Sequence, residues 1–256
     1  MIRTVLLAAA FCAPAIAHAQ EEAPRRTRVT IGPQVQPRFP GADSYSVRPY
    51  FDLARTRGDD PYRFEAPDES TSIALISTDT LTIGPALGFE GRRRSRDAGG
   101  LDRVGFTVEL GGFARWTVAE QFRLSVEARH GVNGHGATIG MVGADYIARD
   151  GNRWLFSVGP RLTVGSGKYH RTYFGVNARE AAATGVPAYR PDGAFLMAGA
   201  TGSASRQLSA RWGVFGFAKY DRLLGDAADS PVVDRFGSRS QWSGGVGLSY
   251  TFGRGL

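Results

Sequence analysis

The chain has 256 residues, a formal charge of +7 and a single cysteine, Cys12. This cysteine lies in an apolar N-terminal stretch, so disulfides, thiol catalysis and thiolate metal sites are excluded for the remainder of the chain. No long apolar run follows that stretch. This excludes a helical inner-membrane protein but not a β-barrel, whose strands alternate between apolar and polar residues.

The N-terminus predicts a secretory signal peptide over residues 1–19. Arg3 supplies a positive charge, residues 5–17 form an apolar core, and Ala17-His18-Ala19 is a small-x-small cleavage site. We expect the mature chain to be one outer-membrane barrel domain over residues 20–256. Its cations are nearly all arginine, and in an exported chain they favour anionic lipid, lipopolysaccharide or another anionic envelope polymer as partners over nucleic acid.

Ten segments alternate between apolar and polar side chains, which predicts β-strands because side chains along a strand point to opposite faces in turn. In chain order they are Arg28–Pro37, Tyr45–Arg55, Thr80–Glu90, Val104–Trp116, Gln121–His130, Ala137–Arg149, Arg153–Gly165, Gly193–Leu208, Arg211–Leu223 and Gln241–Phe252. Pro33 and Pro49 predict strand edges or bulges, because proline cannot donate to a ladder. Ile139 and Met141 fall on the less apolar face of their strand.

The segments Tyr62–Ala66 and Ser72–Thr78 are two short strands or one broken strand. Counting them separately gives twelve strands, and the alternative count is ten. The connections are alternately short and long, as expected for an up-and-down antiparallel barrel with periplasmic turns and outer loops. In the last strand, aromatics stand at both ends of the apolar face, as on a lipid-facing strand. The fold class is therefore all-β, a transmembrane antiparallel barrel.

Two long connections resemble signatures of the MipA/OmpV outer-membrane family, and a weaker resemblance lies at Phe39–Tyr45. The signature residues, for which we expect a structural or interaction role, are Tyr173, Phe174, Gly175, Gly185, Pro187, Tyr189, Tyr220, Arg222, Asp226, Asp229, Ser230 and Pro231. The resemblance implies an outer-membrane barrel acting as an envelope scaffold between a lytic transglycosylase and a peptidoglycan synthase. The alternative is a porin-like diffusion channel or a surface adhesin. The family implies no catalytic residues.

Several residues invite a chemical role that their context does not support. His130 and His135 lie in a flexible loop without the three or four preorganised ligands of a metal site. The arginines at 92–94 and Arg96 match phosphate chemistry and could clamp lipopolysaccharide, but a solvated charge run is the simpler interpretation. Gly165–Lys168 resembles the end of a phosphate loop but lacks its upstream glycine, so we expect a flexible turn.

Neither an enzyme nor a cofactor is expected. Serine and histidine pairs that are local on one strand are too far apart for a nucleophile and its base. The acids Asp226 and Asp229 do not have the spacing of a calcium loop. With Arg222 and Ser230 they predict a hydrogen-bonded loop that folds back into the barrel mouth, and alanine at Arg222 or Asp226 should lower the melting temperature.

Overall fold

The structure, a computed structural model, describes residues 23–253. The predicted signal peptide lies outside the described residues, as do both ends of the predicted domain. In the described part of the chain, no helix combines the length and apolar character needed to cross a bilayer.

Twelve strands form one antiparallel sheet that curls into a barrel wall, which confirms the predicted fold class and strand count. They are β1 (Arg25–Pro37), β2 (Tyr45–Arg57), β3 (Thr71–Ser72), β4 (Ile76–Ser77), β5 (Leu81–Glu90), β6 (Thr107–Ala119), β7 (Phe122–Gly131), β8 (Thr138–Asp150), β9 (Trp154–Gly165), β10 (Phe195–Gln207), β11 (Trp212–Leu224) and β12 (Ser240–Phe252). From β5 onward each strand pairs with its neighbours in the chain, and β12 pairs with β1.

The polarity of the wall is inverted relative to a water-soluble protein. On β7, Leu124 and Val126 are exposed, whereas Arg123, Ser125 and Glu127 are buried. On the other long strands most apolar side chains are outside and most charged ones inside, although some aromatic and aliphatic side chains, such as Phe113 and Ile147, are buried on the inner face. Such a surface is stable where hydrocarbon surrounds the barrel, because apolar side chains then avoid water and charged ones avoid lipid.

Ile139 and Met141 are buried on the inner face of β8, which is the less apolar face that their positions in the sequence indicated. Ile139 lies near the start of β8, beside the long connections, and packs into a hydrophobic cluster with them.

The two ends of the barrel differ. The connections at one end, called the turn end, are short: β6–β7, β8–β9 and β10–β11 are joined by tight turns. The long connections at the other end contain helices α1 (Gly167–Phe174), α2 (Ala178–Thr184) and α3 (Pro231–Phe236), which sequence analysis described only as long loops. Outer-membrane barrels have short turns in the periplasm and longer loops outside, which orients the turn end toward the periplasm.

The wall is not closed by hydrogen bonds all the way round. Among the described strands β2 pairs with β1 alone, and β3 and β4 pair with β5 alone. Residues 58–70, between β2 and β3, form no strand, so the predicted strand at Tyr62–Ala66 is wrong, whereas Ser72–Thr78 contributes β3 and β4.

Only one of the two prolines matches its prediction fully. Pro49 lies on the edge strand β2. Pro33 lies on β1, which pairs on both sides, but its ladder with β12 is interrupted at Gly32 and Pro33. Because β1 and β12 are not paired at Pro33, the missing N–H of this proline removes no hydrogen bond from the ladder.

The inverted wall predicts a large cost for charge on its outer face. Val246 lies at the middle of β12 and is 61% exposed. Val246→Arg should lower the free energy of unfolding from lipid vesicles by about 2–4 kcal/mol, the cost of arginine near the bilayer midplane. The measurement is urea unfolding in vesicles, followed by the heat-modifiable gel shift. Val246→Leu is the matched control and should change little. Equal stability of the two variants would contradict the membrane-facing assignment.

Candidate functional site

Residues Asp60–Ser70, called the inner segment, run inside the barrel. At the turn end, the Tyr62 amide donates to Asn152 Oδ1 at 2.9 Å. Further along, Arg123 donates to the Phe64 carbonyl at 3.2 Å, and the Ser70 hydroxyl donates to Glu127 Oε1 at 2.7 Å. Because these partners lie on the inner faces of β7 and the β8–β9 turn, the segment rises from the turn end to the middle of the lumen.

Asp68 is the centre of the contacts that hold the inner segment. Its carboxylate lies 3.0 Å from Arg161 Nε and 3.2 Å from Lys219 Nζ. It also accepts a hydrogen bond from the Thr201 hydroxyl at 2.8 Å. These three partners come from β9, β11 and β10, so one side chain joins three wall strands to the inner segment.

Glu69 continues the ion pairs around the wall. Its oxygens lie 3.1 Å from Arg115 Nε and 2.8 Å from Arg123 Nη2. Asp145 then lies 2.7 Å from both Arg123 and Arg161, which connects the Glu69 pairs to the Asp68 pairs. The result is a continuous row of alternating charges across the lumen, called the ion-pair row.

The electrostatics of Asp68 follow from its position in this row. Burial alone would raise the pKa of the carboxyl. Lys219 and Arg161 act in the opposite direction, as do hydrogen bonds from Arg161 and Thr201, and together they lower the pKa from its ordinary value to about 2. Asp68 is therefore ionised across the physiological pH range. Its negative charge balances the positive charges of Arg161 and Lys219.

The inner segment divides the lumen. Toward the turn end lies a cavity of about 260 Å³, called the vestibule, which is lined by arginines and aromatic rings. Toward the other end lies a larger space of about 730 Å³, whose lining includes Asp68, Arg129 and Lys219. A solute passing through the barrel would have to displace the inner segment and break its ion pairs.

The long connections pack together over the other mouth of the barrel and form what we call the cap. All five of them contribute side chains to one hydrophobic cluster, together with wall residues at the strand ends. Its buried members are Phe39, Ala42, Ala98, Leu101, Val104, Ala137, Ile139, Tyr169, Tyr173, Phe174, Val176, Val186, Phe195, Leu223, Ala227, Ala228, Val232 and Val233. Burial of this cluster in water favours a closed mouth.

Most of the signature residues lie in this cap. Tyr173 and Phe174 are fully buried. The Ser230 hydroxyl donates to the Phe174 carbonyl at 2.7 Å and accepts from the Val232 amide at 3.1 Å, so it joins α1 to the start of α3. Pro231 occupies the first turn of α3, where a missing amide costs nothing.

The second signature meets the first through Asp226. Its carboxylate accepts from the Asp192 amide at 2.9 Å, and its carbonyl accepts from the Tyr189 hydroxyl at 2.9 Å. Asp229 pairs with Arg239 at 3.2 Å at the surface.

The remaining signature residues end helices or lie at the surface. Gly175 follows α1, and Gly185 ends α2 with a φ of +70°, a conformation that favours glycine. The Tyr220 hydroxyl lies 3.1 Å from Ser240 Oγ, and Arg222 is exposed. Pro187 is exposed beside buried Val186.

The titratable rings of α1 are neutral in the cap. Burial raises the pKa of Tyr169 and Tyr173 well above the ordinary value, and burial lowers the pKa of His170. All three rings therefore remain uncharged at neutral pH, which suits a hydrophobic cluster.

The two histidines occupy separate hydrogen-bonded positions, and the prediction that both lie in a flexible loop is wrong for His130, which lies on β7. His130 Nδ1 lies 2.9 Å from the Thr138 hydroxyl. His135 is buried: its Nδ1 accepts from the Ala137 amide at 3.0 Å and its Nε2 lies 2.9 Å from Glu109 Oε1. Over residues 23–253, no group of three or more histidine, cysteine, aspartate or glutamate side chains is arranged to hold a metal ion.

The arginine run has mixed surroundings. Arg93 is buried and donates to the Tyr173 carbonyl at 2.8 Å and to the Asp102 carbonyl at 3.0 Å, so it supports the cap. Arg92 and Arg94 are exposed. The structure thus separates one cap residue from two solvated neighbours that sequence analysis had grouped together.

Gly165–Lys168 is not a flexible turn. Ser166 caps α1, its hydroxyl accepting from the Tyr169 amide at 3.4 Å, so a strand leads directly into a helix here. A local signal was also available for α2: Asn177 and Glu180 form a capping box, with both side chains bonded to each other's backbone. No local signal was available for the inner segment, because its partners lie on distant strands.

A model of the family described as "MltA-interacting protein MipA" matches residues 29–252. Two curated relatives, both named MltA-interacting protein, come from Escherichia coli strain K12 and Shigella flexneri. Each is 34% identical to this chain over 82 residues, which is 31% of both chains. The match therefore spans about a third of the length of these relatives.

Two solved structures cover most of the chain at low similarity. A CymD monoaromatic hydrocarbon channel has 9% identity and a TM-score of 0.36, and covers 93% of this chain and 90% of that one. A porin has 9% identity and a TM-score of 0.34, and covers 89% of this chain and 99% of that one.

The ion-pair row predicts a pH-dependent contribution of Asp68 to stability. Since its folded-state pKa is about 2, below its ordinary 3.8, the contribution is complete above about pH 4 and is lost as pH falls toward 2. Asp68→Asn should lower the free energy of unfolding at neutral pH by on the order of 2 kcal/mol and flatten this acid dependence. Denaturant unfolding in detergent at a series of pH values measures both effects.

Asp59→Asn is the matched control for that experiment. Asp59 is fully exposed and lies 3.8 Å from Arg26, so the change removes one carboxylate near the inner segment without touching the ion-pair row. If both variants unfold alike at every pH, Asp68 does not hold the inner segment.

The cap predicts an unequal response of two neighbouring residues. Ser230→Ala removes the α3 cap and the bond to Phe174, and should lower the free energy of unfolding by about 1–2 kcal/mol. Asp229→Ala removes only a surface ion pair and should change it by less than about 0.5 kcal/mol. The heat-modifiable gel shift against temperature measures both. A larger loss for Asp229→Ala would contradict this arrangement.

Proposed function

We propose that this chain, which belongs to the MltA-interacting protein family, is a non-enzymatic scaffold of the cell envelope. Family membership and the inverted polarity of its wall make it an outer-membrane barrel of a Gram-negative bacterium. In this proposal it holds a lytic transglycosylase, and with it a peptidoglycan synthase, at the inner surface of the outer membrane. Its outer wall contacts membrane lipid, and its exposed loops contact lipopolysaccharide.

The closed lumen is the observation that carries this proposal. Asp68 and Glu69 fasten the inner segment across the lumen through four cationic side chains. At the opposite mouth, a hydrophobic cluster joins all the long connections. A diffusion channel needs a continuous water-filled path, and two separate obstacles stand in the way of one. If no water-filled path crosses the barrel, the protein must act through its surfaces, by binding other molecules.

The turn end is the surface that suits a periplasmic partner. It faces the periplasm by the general rule for outer-membrane barrels. Exposed charges such as Arg153 and Arg211 project from its tight turns. The curated relatives carry the name MltA-interacting protein, which supports a murein enzyme as the partner.

The signature residues fit a structural role in this proposal. Ser230 and Asp226 bind main-chain groups of the first signature's connection, which keeps the cap packed. Their contacts hold neighbouring connections together, which is what a structural role requires.

Capture of a purified lytic transglycosylase tests the scaffold. The barrel is immobilised in detergent, and the enzyme is applied over a range of concentrations. The paired substitutions Arg153→Glu and Arg211→Glu at the turn end should weaken capture several-fold, whereas Arg92→Glu and Arg94→Glu at the capped end, with the same charge change, should not. Equal capture by both variants would contradict binding at the turn end.

Planar-bilayer recording tests the rival function on the same preparation. The closed lumen predicts no discrete conductance steps from the wild-type protein. Regular ion steps, together with no capture of the enzyme, would replace the scaffold by a channel.

A further inference from the structure

The vestibule at the turn end contains arginines that are not part of the ion-pair row. Arg28 of β1, Arg63 of the inner segment and Arg149 of β8 line it. Within residues 23–253, none of these three guanidinium groups forms an ion pair with a carboxylate. The arginines deeper in the lumen differ: Arg123 and Arg161 each contact two carboxylates.

The acids near the vestibule do not balance these cations. Asp52 and Glu65 also line it. Glu65 lies 3.6 Å from Arg115, which is part of the ion-pair row, so its charge is shared with a deeper cation. Asp52 interacts electrostatically with Arg28, and Glu120, at the β6–β7 turn, with Arg149. The lining nevertheless holds five arginines against two acids: Arg28, Arg55, Arg63, Arg149 and Arg206 against Asp52 and Glu65. The vestibule therefore carries excess positive charge, which attracts an anionic ligand.

Two polar groups at the vestibule lack a hydrogen-bond partner. The Tyr62 side chain is 2% exposed, and its hydroxyl has no partner in the described chain. Arg28 Nε also has none. The two side chains are in contact, with the Arg28 guanidinium 4.4 Å from the centre of the Tyr62 ring. A buried polar group without a partner costs free energy, so this contact is a weak point of the vestibule wall.

The other two arginines are held in position before any ligand arrives. Arg149 donates to the Tyr62 carbonyl at 2.9 Å and to the Gly151 carbonyl at 2.9 Å. Arg63 donates to the Thr82 hydroxyl. Each retains further guanidinium donors, since a guanidinium has five. Such preorganisation reduces the entropy that binding would otherwise cost.

Aromatic rings supply the remainder of the lining. Tyr50 and Phe215 are stacked with their centroids 5.0 Å apart, and Phe64 lies beside them on the inner segment. A free inorganic anion would use the arginines alone. A peptide segment with carboxylates next to apolar side chains would use both kinds of lining, and a space of about 260 Å³ admits side chains but not a folded domain.

We propose that the vestibule binds a short acidic segment of a periplasmic protein. Its carboxylates lie against Arg28, Arg63 and Arg149, and its apolar side chains lie against Tyr50 and Phe215. This inference rests on the proposed scaffold function, since it states which part of a partner the turn end recognises. Bidentate pairing between guanidinium and carboxylate provides the specificity.

Fluorescence anisotropy with a labelled peptide of alternating glutamate and leucine tests the site on the whole barrel in detergent. Its glutamine counterpart should not bind. Arg63→Gln should raise the Kd about tenfold, the effect of losing one charge-assisted contact. Arg92→Gln at the capped end is the matched control and should leave the Kd unchanged. Binding should also weaken as salt is raised from 50 to 300 mM, roughly as the screening length shortens.

Two outcomes would overturn the site: equal Kd values for Arg63→Gln and Arg92→Gln, or displacement of the peptide by inorganic phosphate at equal molar concentration. Arg63 is exposed on the inner segment, so its substitution leaves the ion-pair row in place, and an unchanged gel shift verifies folding.

Peptide binding without capture of the transglycosylase would retain the site and reject the scaffold. Capture unaffected by Arg63→Gln would retain the scaffold and reject the site.

Discussion

The pairing of Asp68 and Glu69 with the wall cations is the interaction on which the rest of the lumen depends. The strands contribute four cations to the ion-pair row, Arg115, Arg123, Arg161 and Lys219. Against these, the strands supply only the carboxylates of Asp145 and Asp221. The inner segment brings the carboxylates of Asp68 and Glu69 into the row, and its Glu65 lies 3.6 Å from Arg115 at the end of the row. Because unpaired charge is costly inside a protein, a lumen without this segment would need water or ions in its place.

The position of the inner segment also explains the break in the wall. In an up-and-down barrel, each strand antiparallel to the last takes the next place in the wall. After β2 the chain rises inside the lumen, and it returns to the wall as β3 and β4 beside β5. The place next to β2 is therefore left without a strand. The free energy gained from the ion pairs inside the barrel offsets part of the free energy lost with one hydrogen-bonded ladder in the wall.

Sequence reasoning could predict the wall because the pattern that defines it is local. Alternation along β7 or β12 is visible in a dozen residues, and the inverted polarity follows from which face is apolar. The same reasoning treated Tyr62–Ala66 as a short strand of its own or as part of a broken strand with Ser72–Thr78. What moves it inward is Asp68 and its partners Arg161 and Lys219, which are far away in the chain. A pairing over that distance leaves no local trace.

The helices of the cap were missed for a different reason, since local signals were present. Each helix begins at a recognisable cap: α1 at Ser166, α2 at the Asn177–Glu180 capping box, and α3 at Ser230-Pro231. These helices are short, and short helices depend on tertiary packing for their stability. Their packing surface is the hydrophobic cluster over the barrel mouth. That cluster exists only once the barrel brings five connections to one end. The barrel therefore comes first in the causal order: it creates the surface that makes the cap helical, and the cap in turn closes the barrel. A mouth closed in this way directs any binding to the turn end, where arginines outnumber acids in the lining of the vestibule.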